Sequence, residues 1–131
     1  MKIEEAIKKA GKDKIMNLVK DSDVYYLVLT RDNNIFDLDF IDQFVAILDE
    51  VQKSKDAVCL VIVGAGKRIF SSGFNLKFWK ESPINPFYSV AKISELFVKL
   101  KTLGVPTLCV LNGHAVAGGI LLALCCDFRW I

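Results

Sequence analysis

The spacing of apolar and polar positions divides the chain into a short N-terminal segment and a longer series of strand and helix patterns. Ile3, Ala6, Ile7 and Ala10 recur at i, i+3, i+4 and i+7, the period of an amphipathic helix. Gly11 interrupts this stripe and Ile15, Leu18 and Val19 resume it. Residues 1–22 therefore read as a helical appendage, separate from the domain that follows over 23–131. Residues 24–30 (VYYLVLT) are β-branched and aromatic, a strand by propensity, and the polar Arg31-Asp32-Asn33-Asn34 reads as a turn. Phe40, Ile41, Phe44, Val45, Leu48 and Val51 trace a helical face with Asp39 as its expected N-cap. Residues 57–63 (AVCLVIV) are apolar without alternation, as a parallel strand buried on both faces would be.

Gly64-Ala65-Gly66-Lys67 is a turn, and Ser82-Pro83 with Asn85-Pro86 predicts a loop. Val90, Ile93, Leu96, Phe97 and Leu100 form a third helical stripe. Val105-Pro106 leads into a short apolar strand at 107–111, Asn112-Gly113 turns, and Gly118-Gly119 opens an all-apolar helix to about Cys126. A further strand pattern begins at Asp127. Strands alternating with helices in this order predict an α/β fold with a mainly parallel sheet.

Composition narrows the classes. A length of 131 residues suits one domain, and 53% hydrophobic residues with a mean hydropathy of +0.36 can fill a core or a surface that belongs against a partner. A net charge of +2 without a basic stripe gives no sign of a nucleic-acid partner. The longest apolar run, 116–126, falls short of the ~20 residues needed to cross a bilayer. Early acidic residues and the absence of Arg before Arg31 argue against a secretory signal or transit peptide. Cys59, Cys109, Cys125 and Cys126 form no C-x-x-C pair, so no metal site is signalled and buried free thiols in a reducing compartment are expected.

Two glycine-containing turns each follow an apolar strand and precede a helix, where α/β folds bind ligands. In Phe70-Ser71-Ser72-Gly73-Phe74-Asn75-Leu76, Gly73 can take a backbone geometry closed to other residues and aim the Phe74 N–H into a pocket. In Asn112-Gly113-His114-Ala115-Val116-Ala117-Gly118-Gly119, paired glycines allow a ligand to approach the backbone. Either turn alone is an ordinary structural feature.

Together, FSSGFNL at 70–76 and NGHAVAGGILLALCCDFRW at 112–130 resemble the two signatures of the enoyl-CoA hydratase/isomerase (crotonase) family, over about residues 24 to 131. The resemblance implies a crotonase-like (ClpP/crotonase) ββα-repeat fold, here incomplete at its C-terminal end. It also implies an acyl-CoA substrate, no covalently bound cofactor, and a thioester oxyanion hole built from the N–H groups of Phe74 and Gly118. The coenzyme A moiety is expected against Ser72, Asn75, Leu76 and Lys77. A protein partner or a trimer-type homo-oligomer, and a mitochondrial or peroxisomal location, belong to the same implication.

Departures from the family pattern restrict the chemistry. Leu121 stands where hydratases of the family carry a catalytic Glu, so hydration is disfavoured. The sequence resembles instead the Δ3,Δ2-enoyl-CoA isomerase branch, whose single acidic base lies beyond Ile131. Asn75 replaces the family's Asp and is expected to keep a helix-capping role. His114, Asp127 and Glu95 are read as incidental, structural and solvated respectively. Two functions of different class remain: an acyl-CoA isomerase, or a catalytically inactive subunit of a larger assembly. The apolar helix after Gly118 should be buried on every side in a complete fold, so these 131 residues alone are expected to leave one of its faces and a sheet edge in water.

Overall fold

The computed structural model describes residues 1–81 and 86–131. In chain order the elements are α1 (Ile3–Ala10), β1 (Met16–Asp21), β2 (Val24–Leu29), α2 (Leu38–Lys53), β3 (Cys59–Gly64), β4 (Ile69–Ser71), α3 (Leu76–Glu81), α4 (Pro86–Lys101), β5 (Thr107–Val110), β6 (His114–Ala115), α5 (Gly118–Cys125) and β7 (Phe128–Trp130). The main sheet has the order β1-β2-β3-β5-β7, and β4 pairs with β6 in a second, two-stranded sheet. Only the β1–β2 pair is antiparallel within the main sheet.

Strands β2 and β3 lack alternation because both of their faces are covered. On one face, Leu27, Leu29, Leu60 and Ile62 pack with Phe40, Phe44 and Leu48 of α2 and with Leu96 and Leu100 of α4. On the other, Tyr26, Val28, Val61 and Val63 meet Ala6 and Ala10 of α1. The N-terminal ammonium group reaches the Asp21 carboxylate at 2.7 Å, fastening α1 to the hairpin.

This corrects the helical appendage expected over residues 1–22. The helix ends at Ala10, and the second half of that segment is strand β1, whose Met16 is in the core at 1% exposure. Pairing decides the matter. Met16 to Asp21 lie in register against Leu29 to Val24, and the Ser22-Asp23 turn closes the hairpin with Ser22 at φ 53°. A helical stripe of three residues cannot compete with six residues of ladder. The N-cap of α2 is also two residues earlier than expected: Asp37, not Asp39, accepts from the Phe40 N–H at 2.9 Å. The loop predicted at Ser82-Pro83 falls outside the described residues, as does Asn85, and Pro86 opens α4.

Helices α2 and α4 are clamped by two ion pairs one heptad apart on each helix, Asp42–Lys92 at 2.9 Å and Asp49–Lys99 at 2.7 Å. All four side chains are partly exposed, so the pairs fix register more than they stabilise. Helix α5 buries Leu122 and Ala123 and leaves Ile120, Leu121 and Leu124 exposed, and β7 exposes Phe128 and Trp130. The apolar helix is thus covered on one side only within this chain.

Candidate functional site

The two glycine turns, far apart in sequence, are packed backbone against backbone. Gly73 sits just beyond β4 with φ +78°, the left-handed region that glycine enters without a Cβ penalty. A methyl group built on its α-carbon would stand 2.6 Å from the Val116 carbonyl oxygen and 2.7 Å from the Gly118 nitrogen. One added at Gly119 would stand 2.6 Å from the Ser71 carbonyl oxygen. Gly118 faces aromatic edges instead: a methyl there would meet the Phe74 ring at 3.0 Å and the Phe36 ring at 3.1 Å. Glycine at these positions is what lets the turns touch.

Hydrogen bonds hold the arrangement. The Val116 N–H donates to the Ser71 carbonyl at 3.0 Å. The Ser71 hydroxyl donates to the Asn34 carbonyl at 2.9 Å and accepts from the Gly73 N–H at 3.1 Å. Phe36 runs alongside, its N–H donating to the Gly73 carbonyl at 2.7 Å and its carbonyl accepting from the Asn75 N–H at 3.1 Å. These bonds bracket Phe74 without using its amide. Among the described residues neither the Phe74 nor the Gly118 N–H has a hydrogen-bond partner. Gly118 is also the first residue of α5, where the helix leaves amides free and carries a partial positive charge of about half a unit.

Beneath the turns lies a buried amide network. Asn34 is fully buried, adopts φ 44°, and donates through Nδ2 to the Phe70 carbonyl at 2.8 Å. Asn112 donates through Nδ2 to the carbonyls of Gly64 at 2.6 Å and Gly66 at 2.7 Å, tying the ends of β3 and β5 together.

The other sequence-predicted residues are distributed around this centre. The Ser72 N–H donates to the Asn33 carbonyl at 2.9 Å, which leaves the Ser72 carbonyl as the main-chain group open to a ligand. Asn75 stands immediately before α3, and its carbonyl accepts from the Trp79 N–H at 3.0 Å. Leu76 and Lys77 are exposed on the first turn of α3. Leu121 points outward from α5 at 45% exposure. His114 is exposed and engages through its main chain, the N–H donating to the Arg68 carbonyl at 2.9 Å, and Glu95 is exposed on α4.

Asp127 is structural. Its Oδ2 accepts from the Thr107 N–H at 2.9 Å and from the Thr107 hydroxyl at 3.1 Å, and these bonds hold its carboxyl below the usual carboxylate range. Of the cysteines, Cys109 and Cys126 are buried and Cys59 and Cys125 half-buried. Hydrogen bonding with Cys126 and burial push the Cys109 thiol up, which favours its neutral form. Among the described residues no cluster of three His, Cys, Asp or Glu side chains could hold a metal ion, and no helix is long and apolar enough to cross a membrane.

Sequence reasoning missed Ser71, Asn34 and Ala117. Ser71 lies inside the first glycine motif, and the serine two residues before Gly73 was the available signal. Nothing in the sequence marks Asn34 as buried. Ala117 has φ 47° and ψ −112°, a conformation that its residue type does not announce.

Comparison with known proteins bears on this geometry. Residues 20–131 match the enoyl-CoA hydratase/isomerase family profile. The chain is 29% identical over 97 residues to the mouse mitochondrial enoyl-CoA delta isomerase 1, covering 73% of this chain and 34% of that protein. It is 29% identical over 119 residues to the peroxisomal enoyl-CoA delta isomerase 2 of Arabidopsis thaliana, covering 85% of this chain and 49% of that protein. In fold it superposes on an enoyl-CoA hydratase from Bacillus anthracis with a TM-score of 0.75 at 24% identity, over 88% of this chain and 46% of that one. The chain spans about half, or less, of the length of these relatives, and carries the N-terminal part of the crotonase fold. On the match over residues 20–131, the chain belongs to the enoyl-CoA hydratase/isomerase family.

Proposed function

We propose that this chain is the acyl-CoA-binding part of a Δ3,Δ2-enoyl-CoA isomerase-like protein. In this reading the Phe74 and Gly118 N–H groups receive the thioester oxygen. The observation that carries it is the contact between the Gly73 and Gly118 turns, beside which both amides lack a protein partner. Fixed donors of this kind stabilise charge as it develops on the oxygen, and losing one typically costs ~3–4 kcal/mol of transition-state stabilisation. A base removes the α-proton, the enolate rests on the two amides, and the proton returns at another carbon. The carboxylate for that step is assigned to the part of the family fold that follows Ile131. The coenzyme A moiety is placed against the Ser72 carbonyl and the stretch Asn75, Leu76 and Lys77. A mitochondrial or peroxisomal location is supported by the names of the isomerase relatives.

The test is calorimetric titration of the purified protein with acetoacetyl-CoA, beside a Phe74→Pro variant that deletes one donor. Binding that weakens in the variant is the expected result. No binding by the parent protein would sink the proposal.

One observation favours a second reading. Leu121 cannot transfer a proton, and the apolar outer face of α5 is open in this chain, which suits an inactive subunit seated in a larger assembly, a homo-oligomer of the trimer type included. Turnover of a 3-enoyl-CoA by the native assembly, after its mass and partners have been measured, separates the two.

A further inference from the structure

We infer that Ala117 is a positioning residue whose strained backbone aims the Gly118 N–H, and that the peptide joining them has two orientations, only one of which presents that donor. This rests on the oxyanion role proposed for Gly118. Ala117 has φ 47° and ψ −112°, where an L-residue with a Cβ is strained and glycine is not. A half-turn of ψ at Ala117, compensated at φ of Gly118, would bring Ala117 into the ordinary left-handed helical region that alanine tolerates better. Only a glycine at 118 leaves that compensating rotation open. The same half-turn would swing the Gly118 N–H away from the Gly73 side of the turn. It would also pull the Ala117 carbonyl off the Ile120 and Leu121 N–H groups, from which it now accepts at 3.0 and 3.1 Å. Strain at one residue is therefore set against two hydrogen bonds at the start of α5, and neither side dominates. An oxyanion bound to the Gly118 N–H adds a third interaction to the strained orientation and selects it.

The test compares the full chain with Ala117→Gly and Ala117→Val, each titrated with acetoacetyl-CoA, whose enolate places negative charge on oxygen, and with coenzyme A itself, which has no thioester. Apparent affinity scales with the fraction of protein in the competent orientation. Ala117→Gly is expected to bind acetoacetyl-CoA up to about twofold more tightly than the parent, Ala117→Val more weakly, and coenzyme A is expected to bind all three alike. A merely structural role would move the melting temperature without separating the two ligands. Equal acetoacetyl-CoA affinity in the parent and Ala117→Gly would overturn the inference and leave the proposed function standing. Failure of both to bind acetoacetyl-CoA while still binding coenzyme A would overturn both.

Discussion

Gly73 and Gly118 meet so closely that a methyl group on the first would stand 2.7 Å from the amide nitrogen of the second. Gly73 also has φ +78°, so an alanine there would be strained as well as crowded. The Gly73→Ala variant is expected to lose about 3 kcal/mol, from roughly 1–2 kcal/mol of left-handed backbone strain plus overpacking against Val116 and Gly118. Urea unfolding of the two proteins measures this. A loss under half that size would mean the turns are separable.

Asn34 should be the most sensitive polar residue outside the turns. Its side chain bonds the Phe70 carbonyl, and its own carbonyl receives the Ser71 hydroxyl. Asn34→Leu leaves the buried Phe70 carbonyl without that donor, for an expected cost of about 1–3 kcal/mol. Because Ser71 also holds Gly73, amide exchange at Gly73 should quicken in the variant. Unchanged exchange there would show the network to be local to Phe70.

Hydration is not expected. With Leu121 where hydratases of the family carry a carboxylate, steady-state addition of water to crotonyl-CoA should be no faster for the parent chain than for Phe74→Pro. Turnover well above that control would require a proton-transfer group elsewhere in the chain.

Asp127 links stability to pH. The Thr107 N–H and hydroxyl lower its folded-state pKa, so the ionised form is favoured by folding. The contribution is present above the unfolded value near ~3.9 and is lost as pH falls through the lower folded value. Asp127→Ala should therefore be less stable than the parent at pH 7, with the gap closing below about pH 4. A gap that stays constant from pH 7 to pH 3 would remove the carboxylate from the account.

The open face of α5 predicts association. Ile120, Leu121 and Leu124 are 48%, 45% and 57% exposed, and β7 adds Phe128 and Trp130 at the edge of the sheet. Fully burying an exposed side chain of this kind gains ~1.5–3 kcal/mol, and these start about half exposed, so each gains roughly half of that; five together are large beside a domain stability of ~5–15 kcal/mol. Sedimentation of residues 1–131 alone should show self-association or poor solubility, relieved in a Leu121→Lys/Leu124→Lys variant. A soluble monomer with a sharp thermal transition would count against this.

The sequence was most readable where burial is continuous. Within residues 57–63 the run from Cys59 on is strand β3, covered on both faces, while Ala57 and the exposed Val58 fall before it, and the stripe from Phe40 to Val51 is the helix packed against that strand. It was least readable at Ile15, Leu18 and Val19, because three apolar positions fit a helix as well as a strand and only the ladder to Val24–Leu29 breaks the tie. The glycine motifs marked the two turns that meet, since close backbone approach demands glycine. Ser71, Asn34 and Ala117 escaped notice because their roles depend on what the fold brings beside them, and neither burial of a lone Asn nor a positive φ at Ala leaves a periodic trace.

The sheet's pairing order also bears on how the molecule comes together. Strands β1 and β2 are joined by Ser22 and Asp23 alone, whereas the contact between the Gly73 and Gly118 turns closes a long loop of chain. Closing such a loop costs entropy before any contact repays it, so local pairings come early in folding and distant ones late. We expect pulse-labelled hydrogen exchange during refolding to protect the hairpin amides first and the Val116 amide, which bonds Ser71 across the two turns, among the last. A chain halted partway would then possess its hairpin and lack the contact between the two glycine turns, making a probe of that contact a report on completed folding rather than on secondary structure.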